Sequence, residues 1–419
     1  MAPDPPAPRT LTPLAAALRH GVFYALIYIG AGVTVPYAPV WFRSVGLSAP
    51  QIGVILAAPM IGRALAGPLT AIWADGFRLR RTALAWISLI TAAAYVLLLL
   101  VHGFWPWALL WFAAATGISA LAPLADVQTL IESRRLGFQY TLSRGMGSAA
   151  YILANVAGGA VMAGAAPVAA ILWSAAAAGA CAVGALALLP PTPVREVGRE
   201  VGREAGREAA GAPVSPSPSA GRWRGTLALL RRRPLMTCLV SLSLIQGSHA
   251  FYYGFSALAW TAHGVPTRMV GLLWGGGVVA EVVFFWWGEG LRRRLGPSRL
   301  VLIGAAGASV RWAALALSPP LWLLVPLQLL HALTFSATYL GGLELVERLS
   351  PPQEASAAQT LSASLSFGLA MGLATIASGW LYARFGSLGY GAMALMGLAG
   401  AAVALALPRG GSAPGHAEH

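Results

Sequence analysis

The chain has 419 residues, of which 57% are hydrophobic and 10% charged, and its mean hydropathy is +0.68. Soluble domains of this length are not so apolar, which excludes a soluble enzyme or binding module and points to an all-α integral membrane protein. The net charge of +14 does not mark a nucleic-acid binder: every basic side chain other than histidine is Arg, and these cluster in short stretches between apolar runs, where they orient helices in a bilayer.

The N-terminal stretch MAPDPPAPRTLTP has no basic region leading into a short apolar core and a cleavage site, so the first hydrophobic run is expected to be a retained span. A hydrocarbon core about 30 Å thick needs roughly 20 apolar residues per helix. At that length the sequence predicts twelve spans: 17–41, 49–73, 82–101, 105–131, 139–164, 167–190, 235–262, 267–290, 298–318, 320–346, 356–383 and 387–407. Arginines are dense after spans two, four and eight and before span seven, and sparse elsewhere. The dense side is expected to be the cytoplasm, with both chain termini on it. Cys181 and Cys238 lie inside apolar runs, lack metal-ligand spacing and are not expected to pair.

In chain order, Arg63 is a basic residue in span two, read as buried, with Asp75 or Asp126 as candidate partners. Asp75-Gly76-Phe77-Arg78 follows, with Arg80 and Arg81 beyond it. Asp126 lies near the end of span four and Arg144 near the start of span five, each roughly 8 Å from the intervening turn at 1.5 Å per residue. The two are level on antiparallel neighbours and can pair. Two roles stay open: a structural ion pair fixing helix four to five, or a substrate carboxylate held by the Arg144 fork with Asp126 giving way. The polar stretch 191–233, with its near-repeat Val197–Glu208 and a Pro/Ser/Gly run, reads as a linker between six-span halves at 1–190 and 234–419. Asp75 and Glu289, Arg78 and Arg292, and Arg134 and Arg348 are each separated by 214 residues, which marks a duplicated bundle.

In the second half, Gln246, His249 and Tyr253 fall on one predicted helix face, and Trp274, Val278, Glu281 and Phe285 on another. Tyr252, Tyr253, Phe255 and Trp274 would form an aromatic wall. Glu281, Arg311 and His331 lie about 22, 20 and 17 Å along their spans, all in the middle third of the core. A charge there costs roughly 2.5–3.5 kcal/mol on insertion scales, so these side chains are expected to face one another or a wet cavity. His331 is read equally well as a packing residue.

Twelve spans in a 6+6 repeat, with an acid and basic loop after the second span of each half, resemble the major facilitator superfamily. Ala71-Ile72-Trp73-Ala74-Asp75-Gly76-Phe77-Arg78-Leu79-Arg80-Arg81 is similar to its signature loop, with Ala71 where Gly is usual. The resemblance gives Asp75, Arg78, Arg80, Arg81, Glu289 and Arg292 a gating role. Tyr140 to Ser148, Leu244 to Ala257, Val278 to Val282, Val310 to Trp312 and Gln328 to His331 resemble the bacterial 3-phenylpropionate transporters, distant relatives of lactose permease. Thr141 and Gln139 depart from the pattern, where Gly and an acid are usual. By that resemblance Glu281 would carry the coupled proton, Arg311 would drive its release and His331 would tune it. Thr334 stands where lactose permease has an acid. Asp126, Arg144, Gln246, His249, Tyr252, Tyr253 and Trp274 would form the substrate site.

The expected activity is proton-coupled import of a small organic acid, aromatic in character, by a monomer in the bacterial inner membrane. Its expected partners are the acid, protons and lipid, with no cofactor, metal or nucleic acid. An exporter of drugs or metabolites of the same fold is the alternative, although 17–41 lacks the acid common in such pumps; a nucleoside or sugar symporter is a further one. No catalytic dyad, nucleophile motif or phosphate loop is present to support an intramembrane enzyme.

Overall fold

The computed structural model describes residues 12–194 and 229–407, and the repeat Val197–Glu208 lies outside them. Six helices come first: α1 Pro13–Ser44, α2 Ala49–Asp75, α3 Arg80–Leu100, α4 Phe104–Leu136, α5 Tyr140–Gly164 and α6 Val168–Leu188. Their ends are set by local chemistry. Ser48 and Gln51 close a reciprocal capping box ahead of α2, and Gly137 stops α4 in the left-handed conformation at φ 72°. Helix α4 runs to Leu136, beyond the predicted 131, so Arg134 and Arg135 sit in its last turn, where they complement the helix dipole.

The second half is more broken. The expected span 235–262 is two helices, α7 Arg233–Gly247 and α8 Ala250–Ala262. Next come α9 Thr267–Trp287, a short helix α10 Glu289–Leu295 and α11 Pro297–Ala316. The tenth span is α12 Leu321–Leu329, a π-helical turn Ala332–Ala337 and α13 Thr338–Arg348. The eleventh is α14 Ala355–Ala363, a second π-helical turn Ser364–Ala370 and α15 Met371–Phe385; α16 Tyr390–Ala404 follows.

Among the described residues, nine helical stretches are long and apolar enough to cross a membrane, or ten if the bent pair Ala49–Arg63 and Leu65–Asp75 is one span. The expectation of twelve differs for two visible reasons. Neither piece of the broken seventh span reaches the required length alone, and Pro352–Ala404 counts as one stretch although a 3₁₀ turn at Gly386–Gly389 divides it.

Helix α1 packs on α5 and α6, α3 on α4 and α6, and α2 on α4; α11 packs on α13 and α16, and α7 on α16. The two sets meet along α5 with α9, α2 with α15, and α1 with α8. Small residues make these seams, as expected where packing drives association in lipid. A Cβ on Gly271 would lie 2.1 Å from the Asn155 carbonyl oxygen, and one on Gly379 would lie 2.5 Å from that of Ala49. Tyr37 reaches across the same end to donate to the Thr267 carbonyl at 3.3 Å. Fourteen residues before Gly159, on nearly the same face of α5, Gly145 has nothing within 4 Å of where its Cβ would be. The halves are therefore pressed together at the arginine-poor end, and α5 and α9 diverge toward the arginine-rich end.

Candidate functional site

The centre of the divergence holds a cavity of about 210 Å³ with walls from both halves. Tyr28 of α1 and Arg144, Ser148 and Tyr151 of α5 line one side. Facing them are Tyr252 and Tyr253 of α8, Trp274, Val278 and Glu281 of α9, and His331.

On the first wall, Arg144 is half-buried and partnered mainly by tyrosine. Its Nη2 donates to the Tyr28 hydroxyl at 2.6 Å, and its guanidinium lies 4.6 Å from the Tyr28 ring centroid. Asp126 stands behind it, Oδ1 being 3.9 Å from Arg144 Nε, outside the cavity wall. The carboxylate is taken up instead by the hydroxyls of Tyr24 at 2.6 Å and Tyr140 at 2.8 Å, both donating to the same oxygen. Arg144 thus keeps donors free for an anion in the cavity.

On the second wall the expected cluster is brought together. Arg311, fully buried, donates through Nη1 to His331 Nδ1 at 3.0 Å and Thr334 Oγ1 at 3.2 Å, and through Nη2 to Gln328 Oε1 at 2.8 Å. It also stacks between Tyr252 and Trp312, 4.8 and 4.6 Å from their ring centroids. A guanidinium only donates, so His331 Nδ1 is the acceptor and its Nε2–H faces Glu281 Oε2 at 3.6 Å. Thr334, bonded by Arg311, passes its own hydroxyl hydrogen to His249 Nε2 at 3.2 Å, and His249 Nδ1–H then meets the carbonyls of Ile245 and Gln246. One consistent set of donors runs from Arg311 to the break in span seven.

That break redirects part of the expected site. Ser248 turns its hydroxyl to the Ile245 carbonyl at 2.6 Å and accepts from Trp312 Nε1 at 2.9 Å, and His249 covers the carbonyls freed by the missing helical turn. The face predicted from a continuous helix is therefore split. Tyr253 reaches the cavity, His249 is buried behind it, and Gln246 lines a different cavity. Tyr252 stacks on Trp274 at 4.6 Å and 18°, which forms the expected wall, but Phe255 is turned away onto Phe251 and Tyr382. Arg63, read as buried, is exposed and borders a crevice between α2 and α4. Tyr24, Tyr28, Tyr140, Ser148, Tyr151 and Gln328 were not among the expected site residues. Tyr24 and Tyr28 at i, i+4, facing Arg144, Ser148 and Tyr151 at i, i+4, i+7, carry a periodic signal that could have found most of them.

The loop residues make local pairs. Asp75 pairs with Arg80 at 2.9 Å, and Arg81 donates to the carbonyls of Leu186 and Leu189. Arg78 accepts a backbone bond from Val194, and Arg80 donates one to Thr192, so the start of the linker is stitched to this loop. Glu289 is held by Arg292 and Arg293, whose hydrogen bonds bring its carboxyl down to about 2, and Arg292 also reaches Glu344.

The chain is 28% identical over 384 residues to the probable 3-phenylpropionic acid transporter of Escherichia coli, covering 90% of this chain and 93% of that one. It is 26% identical to the maltose permease of Geobacillus stearothermophilus, over 88% of this chain and 89% of that one. Among solved structures, the nucleoside transporter NupG superposes with a TM-score of 0.74 at 15% identity, covering 93% and 98% of the two chains. A bacterial homologue of the lysosomal transporter Spinster, inward-facing and unoccupied, gives 0.67 at 14% identity, covering 93% and 95%. These two share the fold. A family model matches residues 18–390, and the chain belongs to the MFS_1-like family of membrane transporters.

Proposed function

We propose that the protein is a proton symporter that imports a small aromatic carboxylic acid. The observation that carries this reading is one cavity with Arg144 on one wall, Glu281 on the other and tyrosine and tryptophan rings between them. The guanidinium offers a carboxylate a bidentate, charge-assisted partner, and the rings of Tyr252, Tyr253 and Trp274 offer an aromatic body a flat apolar bed. Size argues the same way: about 210 Å³ is smaller than the roughly 300–1,000 Å³ of sites for drug-sized ligands, and small for a disaccharide. The probable 3-phenylpropionic acid transporter supplies the compound to try first.

In this reading Glu281 carries the coupled proton. Its carboxyl takes a proton while the cavity faces the arginine-poor side, and it gives it up when the cavity faces the arginine-rich side. Arg311 sits one residue away across His331, the position from which it would drive the proton's release. The bodies that rock are residues 1–190 and 234–419, with the arginine-rich ends in the cytoplasm. The state described above is then the inward-facing one.

The test uses purified protein in proteoliposomes with an imposed inward proton gradient and labelled 3-phenylpropionate. Accumulation that a protonophore abolishes is the expected result. Uptake that ignores the gradient removes the coupling, and proton flux elicited only by a different class of compound removes the substrate.

A further inference from the structure

A second cavity, about 310 Å³, lies wholly in the second half between α7, α13 and α14, nearer the arginine-rich end. No charged side chain lines it. Its polar wall comes from Gln246, Thr338, Gln359, Thr360, Ser362 and Ser366. One of these is buried with an atom that meets no partner in the protein, Gln246 Oε1, in a residue 2% exposed, while the Thr338 hydroxyl turns toward Gly304 of α11. Buried polar atoms are nearly always hydrogen-bonded, so this wall is shaped for a polar guest. The guest's apolar part has its own place, because Tyr339 and Phe367 border the same cavity with ring centroids 6.3 Å apart.

The two cavities are joined by rings. His331, which lines the central cavity, stacks on Phe335 at 5.3 Å and 17°, and Phe335 stacks on Tyr339 at 6.1 Å and 2°. Phe285 of α9 meets Tyr339 at 6.4 Å from the side. Residues four apart on an α-helix are rotated by about 40° around the axis. The π-helical turn Ala332–Ala337 is wider and takes up that rotation, which leaves the three rings in a nearly parallel row. A single row of rings thus leads from the coupling histidine to the arginine-rich mouth.

We propose that this row is a stacking track for the aromatic acid and that the second cavity is a separate, weaker binding site on its exit path. The inference rests on the aromatic-acid reading above. There the acid's ring lies against Tyr339 and Phe367 while its carboxyl group meets the hydroxyl of Ser362 and the amide of Gln246. Lacking a guanidinium, the site binds more weakly than Arg144 does, which suits a stage the substrate must leave.

The experiment places a cysteine in the second cavity, Ser362→Cys, in proteoliposomes; the native Cys181 and Cys238 are fully buried. The rate of labelling by a membrane-impermeant thiol reagent is followed with and without 3-phenylpropionate. Protection is expected to persist in an Arg144→Gln background, where the central site no longer holds the carboxylate. Tyr339→Leu is expected to raise the concentration giving half protection about two- to tenfold, the worth of one aromatic pair, whereas Tyr339→Phe leaves it unchanged. Thr360→Cys, at an exposed position on the same wall, repeats the measurement if Ser362→Cys does not fold. No protection in the Arg144→Gln background, or protection indifferent to Tyr339→Leu, overturns the second site. If that happens while wild-type uptake of 3-phenylpropionate is intact, the transport reading stands and the track alone falls. If wild-type protein does not take up the acid and the Ser362→Cys protein is not protected by it, both fall.

Discussion

Arg311 is a fully buried cation whose direct hydrogen-bond partners, His331, Thr334 and Gln328, carry no formal negative charge. Stripping an ion of water costs several kcal/mol, and here the return comes from three acceptors, two aromatic faces and Glu281 at one remove. Among the described residues, Glu281 is the carboxylate placed to balance that charge, across His331, and it does so only while ionised. Glu281→Gln is expected to abolish accumulation of the acid against a gradient while leaving exchange of internal for external acid intact, because exchange needs no net proton movement. Full accumulation by that variant would remove Glu281 from the coupling step. Arg144 poses a different problem, since its anion is shared. Asp126 is committed to Tyr24 and Tyr140 and lies 3.9 Å from the guanidinium. Arg144→Ala is expected to weaken acid binding by about tenfold to a hundredfold, the worth of a charge-assisted bond, read by equilibrium binding. Unchanged affinity would move the carboxylate site elsewhere. The charged members of both walls were legible in the sequence because a charge in an apolar run is costly enough to demand a reason. Tyr28 and Tyr151 were missed although their spacing from Tyr24 and Arg144 carried a signal, because tyrosine is tolerated on any helix face and a weak periodicity is outweighed until the packing shows that theirs points inward.

At the level of elements, the seventh span shows why pattern reading misplaced Gln246. An i, i+3, i+7 face assumes an unbroken helix, and the break between Gly247 and Ala250 turns the preceding piece toward α13 and α14. The Gly247-Ser248 pair is a local signal for it, but one glycine in an apolar run is common, and the break is held by Ser248, His249 and Trp312, contacts that exist only in the folded bundle. The seam of α5 with α9 depends on the opposite property, the lack of side chains. A Cβ on Gly271 would sit 2.1 Å from the Asn155 oxygen, a distance no packing adjustment of a side chain can relieve because both partners are backbone. Gly271→Ala is expected to pry this end open and shift the population toward the state facing the arginine-poor side. A cysteine at Val156 should then label faster from that side than in the parent. Equal rates would mean that the seam does not govern closure.

Across the whole molecule, the sequence predicts a six-span repeat because both halves keep an acid and arginines at matched positions. The number of continuous spans was not legible, since the π-helical turns and the broken seventh span interrupt the second half without losing its hydrophobicity. If the halves are bodies held by their seams, the covalent link between them is dispensable. A chain cut between residues 194 and 229 and co-expressed as two pieces is expected to assemble and transport; pieces that purify together but never transport would show that the link takes part in the cycle. The glycine contact at the arginine-poor end has an electrical consequence as well. In the inward-facing reading proposed above, water in the diverging cavity would share the potential of the bath it opens to, and the membrane voltage would fall mainly across the stretch where Gly159 meets Gly271. A charge on the central side chains moves through that drop when the seam changes ends, at about 2.3 kcal/mol per elementary charge for each 100 mV. A seal confined to that end would concentrate the field on the segment that must open.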